Sequence, residues 1–312
     1  MRAQAAAGAC LLLALTLAAM AVWLGLERAC AAAARAWRGR GRRADPPGLR
    51  PAAGTAMVTL VLLAMLASAG MLLWSVAGQW RFPDSLPAQW SIARWAEAGN
   101  GVARPFLATL AIGAGAVAVA LVAVLACLEN EDRAHGAAPR RALWLLYAPL
   151  LVPQVCFLFG VQQLLVRLQL DGHWLAVLWS HLLFVLPYVY LSMAEPARAL
   201  DPRYRRAAVG LGASPWRQFA RVRLPLLLRA TLVAAAVGFS VSVAQYLPTV
   251  FAGAGRIVTL TTEAVTLSAG GDRRLIGIHA VLQSALPFAG FALAAAVPAL
   301  LFRNRLGMRA GW

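Results

Sequence analysis

Seven stretches of this chain contain no aspartate, glutamate, lysine or arginine, and each is long enough to cross a lipid bilayer as a helix. They run over 3–26, 51–80, 105–128, 142–166, 172–194, 230–255 and 275–302. A helix of about 20 apolar residues covers the hydrocarbon core. A single Arg or Asp at its centre costs about 2.5–3.5 kcal/mol on insertion scales, so charge-free windows mark what can cross. A soluble helical protein would instead show a polar face every turn or two. Composition agrees: 61% of residues are hydrophobic and 13% charged, against about 25% charged in soluble domains. The fold class implied is all-α, a polytopic membrane protein of about seven transmembrane helices.

The charges that remain lie between the windows. Net charge is +17 and all 29 basic residues are arginine. A basic chain can bind nucleic acid along one face, but arginines confined to interhelical segments read as membrane topology, and no nucleic-acid partner is expected. One alternating set of segments (27–50, 129–141, 195–229 and 303–312) holds 21 arginines, and the other (1–2, 81–104, 167–171 and 256–274) holds eight. Positive charge marks the cytoplasmic side. This places the N-terminus outside and the C-terminus in the cytoplasm, and the loss of lysine beside abundant alanine and arginine suggests a GC-rich bacterial genome. The first window has only Arg2 as a basic flank, which favours an uncleaved spanning helix over a secretory signal.

Cysteines 10, 30, 127 and 156 are scattered and read as small buried apolar residues. His135, His173, His181 and His279 lack metal-ligand spacing and are assigned no chemistry. No metal site, cofactor or catalytic residue is expected.

The most informative polar segment runs from Ala199 to Pro225. Tyr204, Ala207, Ala208 and Leu211 recur at helical spacing, and Gly212 follows as a C-terminal breaker. Ser214-Pro215 then provides an N-cap and a proline for the first helical position. Trp216, Phe219, Val222 and Leu224 form the next apolar stripe, before Pro225 opens a membrane helix. The pattern predicts two short amphipathic helices joined as an elbow, with small residues at Ala207 and Ala208 permitting close approach by a partner.

This segment resembles the cytoplasmic loop of permease subunits of bacterial ATP-binding-cassette importers of type I. That loop reads Glu-Ala-Ala, three residues, Gly, nine residues, Ile-x-Leu-Pro, and here Ala207-Ala208, Gly212 and Val222-x-Leu224-Pro225 hold the same spacing. The resemblance implies a coupling helix that docks into a separate ATPase subunit, a role carried to Ala207, Ala208, Gly212, Leu224 and Pro225. Arg206 stands where the pattern has Glu. The stretches 240–256 and 259–264 are similar to the thiamine, iron(III), polyamine and sulfate branch, and most similar to the C-terminal half of fused thiamine-type permeases. Further implied partners are a periplasmic solute-binding protein, a second permease half as homo- or heterodimer, and membrane lipid.

The resemblance divides the chain at 55/56. Residues 56–312 form a six-helix permease domain with its coupling loop at 198–225, and residues 1–55 form an extra transmembrane helix with a basic linker through Asp45-Pro46-Pro47-Gly48. The extra helix reads either as the last helix of an upstream permease half or as a family-specific addition. Polar residues within windows are candidates for a solute path: Ser240, Ser242, Gln245 and Tyr246, with Pro248 breaking their helix, and Gln154, Gln162 and Gln163. Interhelical hydrogen bonding is the competing role for each. In the 252–275 segment, Arg273 and Arg274 are candidates to meet a binding protein. The chain has no lysine, so it cannot hold a P-loop and is not itself expected to be an enzyme. The alternative is a secondary transporter or another polytopic protein without ATP coupling, which would place ion-coupling charges inside the windows.

Overall fold

The computed structural model describes residues 2–39, 49–80, 84–134, 136 and 139–303. The linker residues 40–48, His135, Ala137 and the last arginines, Arg305 and Arg309, lie outside the described residues. Twelve α-helices follow in order: α1 (Arg2–Gly39), α2 (Leu49–Val76), α3 (Ala93–Arg133), α4 (Arg140–Leu151), α5 (Gln154–Arg167), α6 (Trp174–Arg198), α7 (Pro202–Gly210), α8 (Pro215–Gln218), α9 (Leu224–Val243), α10 (Leu247–Gly253), α11 (Leu260–Gly270) and α12 (Arg273–Leu301). The described residues contain one isolated bridge, Ala77 to Trp90, and no strand.

Six helical stretches are long and apolar enough to cross a membrane unaided, and the pair α4–α5 makes a seventh if taken together. The charge-free window 142–166, read from sequence as one helix, is in fact broken, its two halves meeting at 103°. The cause is local. Val152 is extended (φ −86°, ψ 138°), as the residue before a proline tends to be, and Pro153 has no N–H to continue the ladder. The window 230–255 is broken as well, between the end of α9 at Val243 and the start of α10 at Leu247. Pro248 is not the breaking residue. It sits in the first turn of α10, where a missing N–H costs nothing.

The centre of the bundle is α3, α6 and α9. Ala116, Ala120 and Val124 of α3 pack with Val185, Val189 and Met193 of α6 and Ala234 of α9. Small residues on α3 let these axes approach. At one end, Ala98 and Val102 join Val243, Leu260, Ile278 and Leu286 in a second cluster that includes α12. Helix α2 lies outside this core and leans on α12 at Gly277, where a Cβ would fall 2.8 Å from the Ser75 nitrogen and 2.9 Å from the Met71 oxygen. Helix α1 has no buried residue within its apolar window. Cys10, Cys30 and Cys127 are exposed and Cys156 only half-buried, contrary to the expectation of burial. In a membrane chain an apolar side chain can face lipid as readily as core, so hydrophobicity no longer predicts which.

The connection 252–275 is largely helical. Thr259 caps α11 in a capping box with Thr262, and both are buried. The Leu260 N–H donates to Thr109 Oγ1 of α3 at 2.9 Å, and the Thr261 hydroxyl donates to the Val243 carbonyl at the end of α9. This segment is therefore tied to two core helices, to α3 at Thr109 and to the end of α9 at Val243.

Candidate functional site

The elbow is built from the end of α6 onward. Asp201 caps α7, its carboxylate accepting from the Arg203 N–H at 2.8 Å, with Pro202 in the first turn. Helix α7 stops in a Schellman arrangement: the Gly212 N–H donates to the Val209 carbonyl at 2.9 Å and the Ala213 N–H to the Ala208 carbonyl at 3.0 Å. Gly212 has φ +73°, a left-handed conformation that favours glycine. Ser214 occupies the N-cap position of α8 but its side chain makes no capping bond. The Gln218 amide instead braces the turn, donating to the Ala213 carbonyl at 2.7 Å.

The elbow then runs into α9 through a π-helical turn, Phe219–Arg223, where the Leu224 N–H reaches back to Phe219. Such a turn inserts one extra residue into the helix, one position before Pro225 interrupts the ladder. Leu224 and Pro225 thus lie within a continuous helical path from elbow to span. Ala208 is buried, whereas Ala207 and Gly212 are exposed. Leu211 is 87% and Trp216 72% exposed, and Trp216 leans on Phe219.

The elbow is held by the acidic end of α3. Arg223 Nη1 lies 2.8 Å from Glu129 and 3.0 Å from Asp132. Arg205 of α7 donates to Asp132 Oδ2 at 3.2 Å and to its carbonyl at 3.0 Å. Glu129 also binds Arg133, 2.8 Å away. Glu131 accepts from Arg198 at 3.1 Å and from the Tyr190 hydroxyl at 3.0 Å, joining α3 to α6. Sequence reasoning did not single out these carboxylates. The signal was present: Glu129-Asn130-Glu131-Asp132 follows a charge-free window directly, and the eight arginines of 195–229 need counter-charges.

The two helix breaks face one another across a cavity of about 580 Å³. Val152, Pro153 and Gln154 line one side, and Ala244, Gln245 and Tyr246 the other, with Tyr188 of α6 and Thr16 of α1 beside them. No lining residue is charged. Of the sequence candidates, Gln154, Gln245 and Tyr246 meet here, while Ser240 and Ser242 stand behind. Ser240 donates to the Ala236 carbonyl of its own helix at 2.7 Å. Gln162 and Gln163 do not reach the cavity.

Ser242 belongs to a buried chain centred on His181, a residue to which the sequence assigned no role. Thr249 donates to the Gln245 carbonyl at 3.0 Å, so its oxygen accepts from His181 Nε2 at 2.9 Å. On its other side, Nδ1 is hydrogen-bonded to the Ser242 hydroxyl at 2.8 Å. The imidazole thereby bridges the last turn of α9 to α10 across the break.

At the other end of the bundle, Asp272 caps α12 through the Arg274 and Leu275 N–H groups. The Arg273 guanidinium sits over the Trp74 ring, 5.2 Å from its centroid. Arg273 is exposed and Arg274 half-buried.

An all-α membrane bundle with two discontinuous spans around an uncharged cavity, and a stapled elbow at one end, has the form of a permease. The chain belongs to the family of binding-protein-dependent transport system inner membrane components, which it matches over residues 140–305, just over half its length. This is the permease class of ATP-binding-cassette transporters, and nothing in the match favours a secondary transporter. The chain is 41% identical over 201 residues to the inner membrane ABC transporter permease protein YnjC of Escherichia coli, a match covering 64% of this chain and 38% of that one. It is 28% identical over 206 residues to PhnV of Salmonella typhimurium, a permease whose name assigns it to 2-aminoethylphosphonate transport, covering 64% of this chain and 76% of that protein. The PhnV protein of Salmonella paratyphi A is 27% identical over 233 residues. The chain thus spans well under half of YnjC's length.

Proposed function

We propose that this chain forms one wall of a solute path through the bacterial inner membrane and couples that path to a separate ATPase through the elbow at 202–223. A single observation carries the reading. The elbow exposes Leu211 and Trp216 on a polar, non-spanning element, and it is also pinned by Arg205 and Arg223 to the end of core helix α3. A force on the elbow therefore reaches the core directly. On this reading the elbow lies in the cytoplasm, with the N-terminus outside and the C-terminus inside, as the 21-to-8 arginine asymmetry indicates. Residues 56–312 act as the permease unit, and a second permease half closes the cavity between the broken helices. Gln245 and Tyr246 face the solute, with Ser242 holding Gln245's segment in place.

A periplasmic binding protein delivers that solute to the opposite end, where Arg273 and Arg274 stand ready to meet acidic groups. Substitution of both by Glu lowers binding-protein-stimulated ATPase activity while basal activity persists. Unchanged stimulation would remove this surface from the docking site. The coupling role is tested by Gly212→Asp. Strain at φ +73° and a charge in the turn should leave the protein in the membrane yet abolish transport and weaken co-purification with the ATPase. Normal co-purification would count against the elbow as the coupling element.

A further inference from the structure

The charges of the elbow are sorted by side. The acids at the end of α3 turn inward: Glu129 is taken by Arg223 and Arg133, Asp132 by Arg223 and Arg205, and Glu131 by Arg198. Asp201, the acid within the elbow, is committed to capping α7 and lies 3.9 Å from Arg203. The outward side is the reverse. Arg203, Arg206, Arg217 and Arg221 are exposed, and the last three have no ion pair among the described residues. Helical spacing explains the division, because Arg205 and Ala208 lie on the face toward α3, while Arg203 and Arg206, three apart, share the opposite face. Between these arginines stand the exposed Leu211 and Trp216.

We infer that the elbow docks as a cationic knob, and that the ATPase cleft receiving it presents carboxylates to Arg206 and its neighbours. This rests on the coupling role proposed above and adds the charge of the partner to it. Three observations lead to the knob. Arginines left unpaired on the exposed face are available to a partner. The acids of α3 cannot neutralise them without releasing the clamp. Leu211 and Trp216 supply the apolar centre around which such charges form a rim, the usual layout of a protein interface. An acid on the partner then raises the rate and specificity of docking, whereas a basic cleft would be repelled. Arg206 replaces the glutamate of the loop pattern, so this permease and its ATPase form a matched pair.

The test uses detergent-solubilised and vesicle-reconstituted permease with its ATPase subunit, comparing Arg206→Gln, Arg206→Glu and Gly212→Asp. ATPase retained on the permease should fall modestly for Arg206→Gln and about tenfold or more for Arg206→Glu, since charge-pair couplings across interfaces exceed about 1.4 kcal/mol. The loss should shrink as salt is raised. A carboxylate-to-arginine substitution in the permease-facing cleft of the ATPase should restore binding to Arg206→Glu and weaken it for the unmodified permease. Equal or tighter retention by Arg206→Glu overturns the inference. So does a loss seen only in vesicles containing anionic lipid and absent in neutral ones, which would assign the knob to the membrane surface. Gly212→Asp separates the two levels: if it still binds the ATPase normally, the coupling role itself fails, but if it alone loses binding, only the charge assignment fails.

Discussion

At the scale of single residues, Arg223 and His181 carry more of the architecture than their sequence context suggested. Arg223 is 12% exposed and shared between two carboxylates, and a hydrogen bond to a charged group is worth about 1.5–3 kcal/mol. Arg223→Gln should therefore lower the thermal midpoint in detergent and uncouple the transporter, leaving basal ATP hydrolysis but less transport per ATP. The exchange Glu129→Arg with Arg223→Glu should recover part of the stability; no recovery would show that the pair's value lies in its surroundings. His181 is predicted to act through geometry. His181→Leu strands the hydroxyl of Ser242 and frees Thr249, an unsatisfied-polar penalty of about 1–3 kcal/mol, so it should reduce both stability and transport. His181→Gln, which keeps a donor and an acceptor, should lose less. Equal losses for the two variants would mean that ring volume, not the hydrogen-bond chain, holds the break closed. A histidine alone in a window offers no sequence sign of this, because its partners lie 61 and 68 residues away.

At the scale of elements, sequence reported best what depends on local chemistry. The elbow's turn at Gly212, its proline-led helices and its apolar stripe follow from residue types a few positions apart, and they stand where the pattern put them. The breaks in the two spans were half legible. Pro153 and the extended Val152 explain the first, but the second falls at Ala244–Tyr246, residues with no breaking tendency of their own. There the side chains of Ser242, Gln245 and Thr249, on both sides of the break, hydrogen-bond to His181 of α6. The acidic clamp was visible as a run of charges, yet its partners were not, since pairing requires knowing that α3 ends beside α7 and α9. Exposure of the cysteines was illegible for a different reason: lipid and protein core are both apolar. The same ambiguity hid the docking of α2. Gly277→Val should expel α2 from α12, because the new side chain meets backbone atoms rather than a movable side chain. Helix α2 would still be long enough to cross, so the expected result is an inserted protein with an earlier thermal transition and new protease sensitivity in the 77–92 connection. An unchanged melt would mean that α2 is held by lipid alone.

For the whole molecule, the ion pairs bear on how the candidate spans are threaded. The end of α3 and the elbow after α6 are within 2.8–3.2 Å of each other through Glu129, Asp132, Arg205 and Arg223, so they share one face. Between them the chain leaves through α4–α5 and returns through α6. The turn after α5 is at the far end, where the Gly172 N–H donates to the Ala252 carbonyl at 2.8 Å and Arg256 packs against Gly172. If α6 crosses the membrane, the bent pair crosses as one span despite its 103° break, which makes seven candidate spans. On the proposed topology, the arginine asymmetry of 21 against eight puts the clamp face in the cytoplasm. Cysteines introduced at Arg217 and Ala137 should be shielded from an impermeant thiol reagent in intact cells and react after permeabilisation, while those at Ala88 and Gly270 should react at once. The native cysteines are first replaced by alanine to clear the background. Labelling at Arg217 in intact cells would invert the orientation and remove the elbow from any cytoplasmic ATPase. Labelling at Ala137 with Arg217 still shielded would put the 129–141 segment and the elbow on different sides, against the proposed topology. The two positions therefore test different claims, and only joint protection is compatible with a coupling elbow stapled to the core.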